Sequence, residues 1–282
     1  MRRLLAATTL LVAVAGAGCS GDDGPDAQQT ISPSISTEVD TGSASQTARP
    51  APPPADDACY RLTYRQALAP TSARKSVACR DSHTAQTYAV GRLDTVVDGH
   101  LLAVDSEHVQ AQVAQTCPRR FAAYVGGSTD QRRLSLLRAV WFTPTVAQSD
   151  QGADWFRCDV IALDGDERLA PLTGRLEGVL DTGAGRRRWA LCGTAEPGTK
   201  DFERVLCSAG SARWTALSAV GLAGLGPSYP GEKRVSRAGQ APCESAGRAV
   251  ADDTLSFEWS YEYPTREQWQ NGQTYGVCWA PA

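Results

Sequence analysis

The pattern of apolar and polar positions changes three times along the chain. Leu4 to Gly18 is an uncharged, largely apolar run behind Arg2 and Arg3, and Cys19 closes it. Ser20 to Ala58 is polar, rich in Ser, Thr, Asp, Gly and Pro, and includes Arg49-Pro-Ala-Pro-Pro-Pro-Ala55. From Cys59 onward, short aromatic and β-branched runs predict strands at Trp141-Phe142, Phe156 to Leu163, Leu255 to Tyr263 and Thr274 to Trp279. Val77 to Gly91 and Val205 to Gly221 each predict a strand, a turn and a second strand. Cys117-Pro118 and Pro242-Cys243 predict helix starts, because proline is tolerated in a first helical turn. Cys117, Phe121 and Tyr124 then share one helix face. The expected fold class is α+β: two tandem small disulfide-bonded modules, each an antiparallel sheet with one or two helices.

The N-terminal pattern predicts an export signal over residues 1–18. Its apolar run is shorter than the roughly 20 residues a membrane-spanning helix requires. Gly16-Ala17-Gly18-Cys19 resembles a bacterial lipobox, which implies a lipid on Cys19. The chain holds nine cysteines, and setting Cys19 aside leaves an even eight. Acyl chains contribute about 0.8 kcal/mol per buried CH₂, so more than one on a single residue gives a stable anchor. Residues 19–58 are expected to be the lipidated cysteine and a disordered tether, since so little apolar area cannot offset the ordering of the chain. A flexible segment of that length reaches roughly 35 Å. The expected location is the outer face of the cytoplasmic membrane.

Charge narrows the function classes. The net charge is −3, but the leader carries +2 and the tether −6, leaving Cys59 to Ala282 at +1. A nearly neutral body has no field to steer a polyanion, which excludes a basic nucleic-acid binder. Gly-x-Ser-x-Gly, a P-loop and His-Glu-x2-His are absent.

The eight remaining cysteines fall into two sets, Cys59, Cys79, Cys117, Cys158 and Cys192, Cys207, Cys243, Cys278. Pro144, Gly152 and Cys158 keep the same register as Pro264, Gly272 and Cys278. This repetition predicts a first module over 59–170, a connecting segment over 171–188 and a second module over 189–282. A cysteine opening the domain, Val77-x-Cys79-x3-His83, Cys117-x3-Phe121-x2-Tyr124-Val125-Gly126 and a closing Pro144, Gly152 and Cys158 together resemble the septum formation family. The second copy supplies Cys192, Val205, Cys207, Cys243, Pro264, Trp269, Gly272 and Cys278, with Ala212 or Ser211 in place of the histidine. The resemblance implies an exported or membrane-anchored protein linked to division, without an established catalytic activity.

In an exported chain these cysteines read as disulfides, and the absence of Cys-x2-Cys argues against structural zinc. The expected pairs are Cys59 with Cys79, Cys117 with Cys158, Cys192 with Cys207 and Cys243 with Cys278, the first of each copy stapling adjacent strands and the second pinning a helix to the last strand. No cofactor and no catalytic residue is expected. His83 is a possible binding residue; its pairing with Cys79 as a thiolate nucleophile requires a free thiol. Trp214 and Trp269 are possible sugar-stacking positions. The expected role is a non-enzymatic binding or structural one in the envelope, with a protein partner, the membrane held through the lipid, and peptidoglycan or another glycan as the alternative ligand. A thiol-dependent enzyme is the remaining rival.

Overall fold

A computed structural model describes residues 50–282. The expected signal peptide, Cys19 and most of the expected tether lie outside the described residues. In the first half, β1 (Cys59–Tyr60), α1 (Tyr64–Ala67) and β2 (Ala85–Arg92) lead to the hairpin β3 (Val96–Val97) and β4 (His100–Leu101). Then come α2 (Glu107–Val125), α3 (Thr129–Arg133), β5 (Leu137–Phe142), α4 (Val146–Asp150) and β6 (Trp155–Ala162). A 3₁₀ turn and α5 (Gly183–Arg188) connect to the second half. It comprises β7 (Leu191–Gly193), β8 (Arg204–Leu206), β9 (Trp214–Gly221), α6 (Glu232–Val250), β10 (Ser260–Glu262), α7 (Arg266–Gln270) and β11 (Tyr275–Pro281). The fold is mixed α+β with antiparallel sheets, and no helix among the described residues is long and apolar enough to cross a membrane.

The two sheets repeat one plan. The first has the order β1-β2-β6-β5, and the second contains β7-β9-β11-β10 with β8 added outside β7. Even an irregularity is copied. Cys158 lies opposite Ala89 and Asp159 opposite Thr87, so Tyr88 is an extra residue in β2. Cys278 lies opposite Ser218 and Trp279 opposite Ala216, so Leu217 is the extra residue in β9. The four bridges are Cys59–Cys79, Cys117–Cys158, Cys192–Cys207 and Cys243–Cys278. In each half the second bridge ties the long helix to the central strand beside the bulge.

Local chemistry explains the shared elements. Thr145 with Gln148, and Thr265 with Gln268, form capping boxes that start α4 and α7. Gly152 and Gly272 follow, each with φ of +90°, a backbone conformation that side chains resist. Helix α2 buries Val109, Val113, Cys117, Phe121 and Val125, a residue every fourth position along one face. Helix α6 buries Val235, Gly239, Cys243 and Gly247 at the same spacing, with glycine where its backbone lies close to the sheet.

Four expectations differ from what is observed. The helices begin well before the prolines, so Pro118 and Pro242 are inside α2 and α6. Each forfeits one main-chain hydrogen bond, and the bridge at the adjacent cysteine holds that turn against the sheet. Of the strand expected over Leu255 to Tyr263, only Ser260–Glu262 pairs. The connecting segment is also core material: Leu172, Leu176 and Leu180 are buried in one cluster with Phe121, Leu137, Val160 and Trp189. The end of the expected tether is likewise docked. Ala51 and Ala58 pack beside Tyr60, Phe142 and Trp155, and Ala58 O accepts from Thr87 N at 2.8 Å.

Candidate functional site

His83 sits in the strand-end turn that its spacing from Cys79 implies, but as an internal group. It is fully buried, its Nδ1 lies 2.8 Å from Asp81 O, and its carbonyl accepts from Leu172 N at 2.8 Å. Cys79 is bonded to Cys59, so the Cys–His pair has no free sulfur to become a nucleophile. Trp269 is 3% exposed; its ring meets Tyr229 edge-on and its Nε1 donates to Pro227 O at 3.1 Å. Trp214 is half-buried and packs in the cluster that contains Leu191 and Trp279. At that burial Trp269 presents no open ring face of the kind sugar stacking uses. No group of three or more His, Cys, Asp and Glu side chains that could hold a metal ion occurs among the described residues.

A buried polar cluster stands on the first sheet where residue patterning gives no warning of it. Arg157 and Asp159 are on central strand β6, on the sheet face away from α2, and both are essentially inaccessible. Arg157 Nε lies 3.1 Å from Asp159 Oδ1, which also accepts from Thr87 Oγ1 at 2.8 Å. The guanidinium is clamped between the rings of Tyr60 and Phe142, at 3.9 and 4.5 Å from their centres. Desolvation outweighs the pull of Arg157 and pushes the Asp159 carboxyl up to about 6. The register equates this trio with Val277, Trp279 and Ala216 in the second half, where the same positions are apolar. The fold can therefore be built without the ion pair.

The surface feature best formed for contact is a cleft of about 600 Å³ between the β3–β4 hairpin and α4, lined by residues including Leu101, Leu102, Val104, Val146 and Ala153. Leu101 and Val146 in its lining are 79% and 48% exposed, and Val96, paired with Leu101 across the hairpin, is 54% exposed. The hairpin turns at Asp98-Gly99, whose φ values of +50° and +79° suit the right-handed twist of its strands. That dipeptide between Val96-Val97 and His100-Leu101 is a sequence signal for a hairpin, one that the strands expected above do not include. In the second half, β9 passes to α6 through a 3₁₀ turn instead, so the cleft belongs to the first half alone.

Residues 29–143 match a family model described as septum formation, a stretch that contains the hairpin and α2 and stops short of α4. No curated protein and no solved structure matches the chain. Over that stretch the chain is similar to septum-formation domains, a match that supports a domain of that type and suggests a role in septum formation or the cell envelope.

Proposed function

We propose that this protein is an extracytoplasmic lipoprotein, held on the outer face of the cytoplasmic membrane through Cys19, and that its body is a non-enzymatic binding component of the envelope acting on a protein partner near the division site. The observation that carries the reading is the apolar-lipped cleft at the hairpin, set in a domain whose cysteines are all bridged. Bridges fit an oxidising extracytoplasmic compartment. The leader pattern and the single cysteine outside the bridged sets support the anchor. The second half, which repeats strand order, bulge, helix and bridges, is on this reading a second copy of the same domain type with its contact surface lost.

A photo-crosslinking residue at Leu101 in dividing cells tests the partner. Covalent capture of one envelope protein, reduced when Val96 and Val146 are changed to Asp, is the expected result. No adduct, or an adduct unaffected by those changes, refutes the cleft as the contact surface. Replacing Cys19 with Ser is expected to move the protein from the membrane to the soluble extracytoplasmic fraction; retention in the membrane refutes the anchor.

A further inference from the structure

Where the two halves meet, a second and smaller pocket of about 160 Å³ is lined by Arg133, Arg138, Arg204, Gln273 and Tyr275 over an apolar floor that includes Leu163 and Leu191. The three cations come from α3, β5 and β8, so both halves contribute. Their compensation is uneven. Arg133 lies over the Tyr275 ring at 4.4 Å and meets Asp130 at 3.2 Å, but Asp130 is 61% exposed and its charge is largely spent on water. Arg204 is paired with Glu262, which is mostly buried.

Arg138 has no carboxylate. Its Nη1 donates to Ser135 O at 2.7 Å and Leu137 O at 2.8 Å, while Nε and Nη2 have no hydrogen-bond partner among the described residues. Burial, with Arg204 nearby, pulls its pKa below the ordinary arginine value. A half-buried cation that desolvation already disfavours is poised to gain from an anion.

We propose that the seam pocket is a binding site for a small phosphate group, held by the free edge of the Arg138 guanidinium and flanked by Arg133 and Arg204. Guanidinium forks match phosphate oxygens in pairs, and three of them around one space suit a tetrahedral oxyanion better than a planar carboxylate, which a single fork satisfies. The volume lies below the roughly 300–1,000 Å³ of sites for larger ligands, which limits the occupant to an oxyanion with at most a short stem. The site is separate from the hairpin cleft and does not depend on a protein docking there.

Calorimetric titration of the purified full chain with inorganic phosphate, against chloride at equal ionic strength, tests the site. Saturable phosphate binding is expected, with affinity reduced at least about tenfold in Arg138→Gln and unchanged in Arg175→Gln, an arginine outside the pocket lining that is paired with Asp57. Should Arg138→Gln fail to fold, Arg133→Gln must show the loss instead. Phosphate binding no stronger than chloride, equal affinity for acetate, or wild-type affinity in the folded arginine variants overturns the proposal. Glycerol 3-phosphate separates the natural sources: binding at least as tight as inorganic phosphate indicates a phosphoester headgroup or polymer end, and binding of inorganic phosphate alone indicates the free ion.

Discussion

Asp159 and Arg157 show how much one sheet face can conceal. In Arg157-Cys158-Asp159 the charges alternate with a buried cysteine, which by itself reads as a strand with one wet face. Both faces are covered, because the segment from Ala51 to Ala67 lies over the charges. That covering is a long-range contact to which residue patterning is blind. The Asp159 carboxyl has a folded pKa of about 6, above its unfolded value near 4, so the folded state holds the proton more tightly. Its contribution to stability is present below about pH 4 and is lost as pH rises through about 6. Urea denaturation is expected to show wild-type stability falling across this window relative to Asp159→Asn. Arg157→Met, which strands the carboxylate, is expected to cost about 3–5 kcal/mol at pH 8 and much less at pH 5. The double variant Arg157→Val with Asp159→Leu, apolar like the second half, should recover most of that loss.

At the scale of elements, the bridges and the capping boxes are legible because their chemistry is local and repeated, while helix extent is not. Pro118 and Pro242 lead a reader to start each helix there; cysteine bridging and a buried stripe carry both helices through proline instead. The glycines of α6 are similarly opaque. Gly239 and Gly247 look like weak helix positions, yet they let the backbone rest on β10 and its flank. A Cβ on Gly239 would stand 2.0 Å from the Tyr261 ring, and one on Gly247 would stand 2.7 Å from Trp259 Cβ. Alanine normally stabilises a helix interior by about 1 kcal/mol over glycine. Gly239→Ala is expected to reverse that sign and destabilise by about 1–3 kcal/mol, measured by chemical denaturation with the bridges intact. A stabilised variant would show that α6 can move away from the sheet without cost.

At the scale of the whole molecule, the repeat is visible in residue spacing but the fusion of its copies is not. Leu136 of the first half is buried with Leu191, Val277 and Trp279 of the second. Its amide donates to Trp189 O at 2.9 Å, and Leu191 N donates to Leu134 O at 3.0 Å. These contacts join residues that the cysteine spacing assigns to separate modules, and nothing in that spacing signals that the two share a core. Because the seam is welded by core rather than crossed by a free linker, one thermal transition is expected for both halves, with equal calorimetric and van't Hoff enthalpies. Leu136→Ala is expected to cost about 2–5 kcal/mol and to begin resolving the two halves. Two separate transitions in the wild type would show that the halves unfold independently.

The placement of β6 and β11 carries a consequence in time. Each is the last strand of its half to be synthesised, yet each sits in the interior of its sheet, between strands made earlier. Neither sheet can close until that strand arrives, so an emerging chain waits with its neighbours unjoined. Cys59–Cys79 and Cys192–Cys207 span short stretches and can oxidise first, whereas Cys117 and Cys243 must stay reduced until Cys158 and Cys278 appear. Maturation is thereby tied to the surrounding compartment's ability to delay and correct sulfur pairing, and a host whose folding compartment lacks a thiol isomerase should accumulate the wrong isomers of this chain.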